Sequence, residues 1–276
     1  VAATARPNPP GTRPDPSQPE GTDLIPGVQH IVILMMENHS YDNYFGLLER
    51  GDGLTLDRDG RPVNSNPASD GTLIASYHLP TTSQKDNKVT QSWAASHRQY
   101  DDGKLDGFVV TSGTQAMGYW TAADLPFYYS LARTFPLCDR YFGSVLAQTY
   151  PNRRFLMAAT ALGLVTTELP DLGAPPPAAG TIFDKLDAFG ISWREYTAGK
   201  PEVALFPAKL VEHLDHVADM QQFLTDAAAG TLPAYSLITP HDRVSEEDPQ
   251  DIHQGEAFTA GVLAASNLRL EKVLNQ

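Results

Sequence analysis

The sequence predicts an α/β fold, a three-layer sandwich with a largely parallel sheet. One observation is the near-continuous apolar run Val28-Gln29-His30-Ile31-Val32-Ile33-Leu34-Met35-Met36. Its length and β-branching suit a strand covered on both faces. Another is that two helical segments each stop at a glycine and are followed by a short strand-like stretch. Such alternation marks helices that cross over between parallel strands.

In chain order, residues 1–27 carry Pro7, Pro9, Pro10, Pro14, Pro16, Pro19 and Pro26 and few large apolar side chains. They read as an extended N-terminal arm, with the domain proper over 28–276. The apolar run predicts a buried central strand that ends at Glu37-Asn38, with a helix from about Tyr41. Residues 50–90, rich in Gly, Pro, Asn and Asp, read as a long loop region. A helix is predicted from Ser92 to Tyr100. Another runs from about Ala123 to Ala132, with Asp124 as N-cap and Pro126 in its first turn. Pro151 opens a third, whose apolar positions include Phe155, Leu156, Ala159 and Leu162. Residues 164–180, with Pro175-Pro176-Pro177, form a loop. A helix from Thr181 stops at Gly190 before a strand over 191–196. The next, Phe223 to Ala229, stops at Gly230 before a strand over 234–238. Gly255 to Leu274 is predicted helical.

The formal net charge of −13, from 33 acidic and 20 basic residues, repels a polyanion and argues against nucleic acid as a partner. No stretch approaches the ~20 apolar residues that span a bilayer, and no basic amphipathic helix suggests firm membrane attachment. Cys138 is the only cysteine, so an internal disulfide and a thiolate zinc site are both excluded. The compartment is not fixed. A start at Val1 rather than Met leaves export, with a leader removed, open.

Two places could carry chemistry. Glu37-Asn38 follows the predicted strand, where α/β sheets bind ligands, and offers two oxygen donors to a hard divalent cation. The competing reading is that Asn38 and Ser40 cap the next helix. Thr149 lies just before the helix opened by Pro151, where unpaired N–H groups favour a phosphoryl group, and Arg153 adds a bidentate contact. The competing reading makes Thr149 a simple N-cap.

The string from His30 to Gly46, centred on Met36-Glu37-Asn38-His39-Ser40-Tyr41-Asp42, resembles the opening signature of the bacterial phosphoesterase family. That family contains non-specific phospholipases C and an acid phosphatase branch on an alkaline-phosphatase-like fold. Thr149-Tyr150-Pro151-Asn152-Arg153 is similar to the family's Thr- or Ser-containing segment before Pro-Asn-Arg. Gln91 to His97, running on to Phe108, and Glu247 to Glu256 match further segments in the family's order.

The resemblance implies a metal-dependent hydrolase of phosphate esters, soluble or phospholipid. It implies Glu37 and Asn38 as ligands of a divalent metal ion and Thr149 as nucleophile. It makes Asn152 and Arg153 the phosphate contacts, and leaves His97 and His253 as proton donors or further contacts. The chain departs from the pattern at Gln91 and at Glu247-Asp248, where many relatives carry histidine and a His-Pro pair. The family's last signature, an Asp-Glu pair ahead of Gly-Gly and Asp-His, is not found. The expectation is therefore an N-terminal portion of the family domain, short of metal ligands and feebly active. The alternative is a non-catalytic member that binds phosphate compounds or a partner. A Ser-His-Asp esterase is disfavoured, because the chain has no Gly-x-Ser-x-Gly elbow.

Overall fold

A computed structural model of the chain describes residues 12–86 and 89–267. The first eleven residues of the predicted arm and the end of the predicted last helix, 268–274, lie outside the described residues. The main elements are, in order, β1 (Ile31–Leu34), α1 (Tyr41–Phe45), β2 (Ser65–Pro67), β3 (Leu73–Ala75), β4 (Tyr77–His78), α2 (Trp93–Tyr100), α3 (Phe108–Ser112) and β5 (Gly118–Tyr119). They continue as α4 (Pro126–Thr134), α5 (Thr149–Ala158), α6 (Ile182–Ala188), β6 (Trp193–Thr197), α7 (Pro207–Glu212), β7 (Val217–Ala218), α8 (Met220–Ala229), β8 (Tyr235–Thr239) and α9 (Ile252–Asn267).

Four strands form a wholly parallel sheet in the order β1-β8-β6-β7. Ile31 pairs with Tyr235 and Trp193 pairs with the same residue from the other side. The period of two along each strand sorts side chains to opposite faces. Ile33, Trp193, Tyr235 and Leu237 pack with Met157 of α5 and Phe183 of α6. Val32, Leu34, Tyr196 and Ile238 pack on the other face with Phe223 of α8 and Val262 of α9. Helices therefore cover both faces. A separate cluster around Tyr44, Trp120, Leu125 and Tyr129 joins α1 to α4 and to Ile252 of α9.

Capping explains several boundaries. Thr181 and Asp184 form a reciprocal capping box on α6, and Gly230, in the left-handed region at φ 68°, stops α8. The helix predicted from Ala123 begins instead at Pro126. Asp124 is not its cap, because its carboxylate accepts from the backbone N–H and hydroxyl of Thr121 and contacts His78. The predicted loop at 50–90 contains β2, β3 and β4.

The expectation of a central first strand is corrected. β1 is the outer strand of the sheet among the described residues, and Ile31 is 44% exposed. An apolar run reports that both faces of a strand are covered. It carries no information about whether both edges are paired.

Candidate active site

A parallel sheet brings the ends of all its strands to one side, and ligands bind there. The chain after β1 supplies Glu37, that after β6 supplies Gly199, Lys200 and Glu202, and the end of β8 supplies Thr239, Pro240 and His241. With Thr149, Tyr150 and Arg153 from α5, and with Ser245, Glu247 and Asp248, they line a cavity of about 550 Å³.

Thr149 is the first residue of α5, and Gln148, at the N-cap, makes no side-chain capping bond. The Thr149 hydroxyl does not cap the helix. Its Oγ1 donates to Glu37 Oε2 at 3.1 Å, across 112 positions of sequence. The competing reading at Asn38 also resolves, since Ser40 is the N-cap of α1, accepting from Asn43 N–H.

Arg153 donates from its Nη2 to Glu37 Oε1 at 2.5 Å and pairs through Nη1 with Glu202. Arg153, Glu37 and Glu202 side chains are only 10%, 12% and 7% exposed, so this is a buried bridge of one guanidinium between two carboxylates. Glu202 in turn accepts from the Thr239 hydroxyl at 3.3 Å. Beside them Glu195 is fully buried, and burial pushes its carboxyl up to about 7, against a hydrogen bond from Val203 N–H and the charge of Arg153.

Glu247 lines the same cavity. Asn38 Nδ2 donates to its Oε2 at 2.7 Å, and Gln91 Nε2 donates to its Oε1 at 3.0 Å. Its carboxyl is pushed up to about 7, first by burial, then by the charge of Glu37 and a hydrogen bond with it. Gln91 and Glu247, two of the positions that depart from the resemblance, thus touch each other. The Asn38 carboxamide spends its nitrogen on Glu247, which leaves Oδ1 as its metal-type donor. Asn38 itself lines a second cavity, not the one that holds Thr149.

Asn152 does not line the cavity either. Its Nδ2 donates to the carbonyls of Val145, Ala147 and Gln148 at 3.1, 2.8 and 3.2 Å, and its Oδ1 accepts from Val145 N–H. The side chain is committed to holding the loop that delivers Thr149. His97 lies on the exposed side of α2, bonded to Trp93 O at 2.8 Å and packed on the Trp93 ring, and it lines neither cavity. His253 is bonded to Asp124 O. The structure therefore brings Glu37, Thr149 and Arg153 together, reaches Asn38 through Glu247, and leaves His97, His253 and Asn152 outside.

Sequence reasoning missed Glu202, Lys200 and His241. The last could have been found, since Thr239-Pro240-His241 closes a predicted strand at the ligand-binding side. Glu202 gives no such signal. Among the described residues, Asp184, Glu212 and His213 also bring ligand-type atoms within 4.8 Å of one another. Lys209 Nζ already bridges Asp184 and Glu212, filling the place of a cation, and none of the three lines the cavity.

The profile of the Phosphoesterase family matches residues 28–270. The chain is 34% identical over 197 residues to a hemolytic phospholipase C of Pseudomonas aeruginosa, covering 64% of this chain and 27% of that protein. It is 32% identical over 274 residues to a non-hemolytic phospholipase C of the same organism, covering 86% and 39%. It is 30% identical over 230 residues to non-specific phospholipase C1 of Arabidopsis thaliana, covering 76% and 42%. The chain thus spans well under half the length of these relatives. No helix of the described residues is long and apolar enough to cross a membrane.

Proposed function

Since the chain belongs to the Phosphoesterase family, we propose that it hydrolyses phosphate esters, with Thr149 receiving the phosphoryl group beside a bound divalent metal ion. The parallel sheet with helices on both faces is, in this reading, an alkaline-phosphatase-like core. Substrates are soluble phosphomonoesters, as for an acid phosphatase, or phospholipids, as the relatives' names suggest. The observation that carries the proposal is the 3.1 Å hydrogen bond from Thr149 Oγ1 to Glu37 Oε2.

Glu37 orients the hydroxyl and is placed to accept its proton as Oγ1 bonds to phosphorus. The ester P–O bond then breaks and the departing alcohol takes a proton. Water next cleaves the phosphothreonine, which regenerates Thr149. Lys200 and the N-terminus of α5, whose first N–H groups lack intrahelical acceptors, supply positive potential for the phosphoryl oxygens.

The residues present fit a divalent cation. Glu37 and Glu247 line the same cavity, and the charge of Glu37 helps to push the Glu247 carboxyl up, a repulsion that a cation between them would relieve. Glu37, Glu247 and Asn38 Oδ1 would hold it. Such an ion lowers the hydroxyl pKa of the nucleophile and neutralises charge on the transferring phosphoryl.

The test is hydrolysis of a chromogenic phosphate ester with Mg²⁺, Mn²⁺, Ca²⁺ or Zn²⁺ added in turn. Thr149→Ala should lose turnover by about a thousandfold or more, and Thr149→Ser should retain part of it. Turnover that survives Thr149→Ala refutes the assignment. A second reading, phosphate binding without turnover, is favoured by one feature: both Glu37 oxygens are already engaged, by Arg153 and by Thr149. It predicts that inorganic phosphate binds while every ester stays intact.

A further inference from the structure

A second cavity, of about 530 Å³, adjoins the first, and Glu247 and Asp248 line both. Its volume is that of a site for a small organic ligand. The two walls differ in chemistry. The first cavity has Arg153 and Lys200, whereas no lysine or arginine lines the second among the described residues. The second is lined instead by carboxamides, including Asn38, Gln91, Gln99 and Gln115, and by the rings of Phe108 and Tyr119.

The hydrogen bonds show what these carboxamides have left to offer. Gln91 spends its nitrogen on Glu247, and Gln99 spends its nitrogen on Thr90 O, Thr111 and Ser112, while Asn38 Oδ1 is kept for the cation. Their carbonyl oxygens remain as directional acceptors. Glu246, at the same wall, is already satisfied by the hydroxyls of Tyr44 and Tyr128. A ligand matching this surface donates several hydrogen bonds and lays an apolar face on an aromatic ring.

Resting on the phosphoesterase reading, we propose that this cavity is the subsite for the alcohol part of the ester and selects an uncharged, polyhydroxylated alcohol. Hydroxyl groups donate to the carboxamide oxygens, and the carbon skeleton packs on Phe108 and Tyr119. A second anionic group on the alcohol meets Asp42 and Asp248 and is rejected. A quaternary ammonium is drawn by the same carboxylates and aromatic rings but leaves every carboxamide acceptor unmatched, so the polyol is preferred through the hydrogen bonds that only it can donate.

The test has a catalytic arm and a binding arm. Phosphate release is compared for sorbitol 6-phosphate, choline phosphate, 3-phosphoglycerate and an aryl phosphate. Sorbitol and tetramethylammonium are titrated separately against the protein by ligand-observed NMR. The expected order of kcat/KM places the polyol ester first and the carboxylate-bearing ester last. Gln115→Leu, at an exposed position, should lower the ratio of polyol-ester to aryl-ester kcat/KM about 5-fold and weaken sorbitol binding about equally. Thermal melting confirms that the variant is folded. Sorbitol binding without turnover of any ester would uphold the subsite and refute the hydrolase. Aryl-ester turnover with no polyol preference and no sorbitol binding overturns the subsite alone. Preference for choline phosphate, with tetramethylammonium binding, overturns it in favour of an ammonium site.

Discussion

Replacing Arg153 with methionine tests the architecture of the site independently of any substrate. The guanidinium lies between Glu37 and Glu202, and all three side chains are about nine-tenths buried. Methionine fills similar volume but leaves two carboxylates in low dielectric without their cation, with Glu195 close enough to feel the loss. Removing one partner of a buried ion pair costs about 3–5 kcal/mol. For a chain of this size that lowers the melting temperature by roughly 6–20 °C. The sign of the pH dependence follows from charge. The orphaned carboxylates are tolerated when protonated and penalised when ionised, so the deficit against wild type is greatest at pH 7.5 and narrows towards pH 5. Arg153→Lys falls between, because one ammonium replaces a fork that reaches the two carboxylates from separate nitrogens. The assay is urea unfolding of the three proteins at both pH values. A loss under about 1 kcal/mol at pH 7.5, the range of an exposed pair, refutes the buried bridge, as does a deficit that grows on acidification.

Glu195 and Glu246 are both pushed up to about 7 by burial, from an ordinary 4.5. The folded state therefore holds protons that the unfolded state has released, so stability from these groups is complete below about pH 4.5 and lost as pH rises through about 7. Urea midpoints should fall from pH 5 to pH 7.5, and Glu246→Gln should flatten the slope. A midpoint that rises over this range refutes the assignment. Asn152→Ala strips four hydrogen bonds from the loop at 145–148 and should cost about 1–3 kcal/mol. Turnover should fall through kcat, because Thr149 loses its placement while the phosphate contacts remain. A pure KM effect would instead return Asn152 to the phosphate.

The fold was largely legible because its signals are local. Each strand after a helix-stopping glycine appears within two residues of its expected start, since the left-handed turn and the apolar period are both written in adjacent residues. The edge position of β1 was not legible, because pairing depends on residues that are remote in sequence. At the site the same division holds. Glu37 and Thr149 could be singled out by strand-end and helix-start position. Asn152 and Arg153 are adjacent and equally polar, and only the partners at 145–148, Glu37 and Glu202 separate a loop clamp from a buried bridge. His97 could not be placed from sequence, because a histidine in a matching segment carries no record of which side of its helix faces a cavity.

Gln91 and Glu247 show why departures from a family pattern need to be read together. Taken singly, each looks like the loss of a histidine. In the structure the Gln91 amide and the Asn38 amide donate to the two oxygens of Glu247, so the carboxylate arrives with its hydrogen bonds already supplied. Replacing only one of the two positions would leave a half-buried acceptor short of a donor, or a donor short of its acceptor, at a cost of about 1 kcal/mol. The pair is therefore better kept or exchanged together. Its consequence reaches the proposed chemistry, because Glu247 and Glu37 line the same cavity and, in the proposed metal site, Glu247 would add a second carboxylate. In that proposal, a position that counts as a loss against the family pattern becomes a candidate ligand.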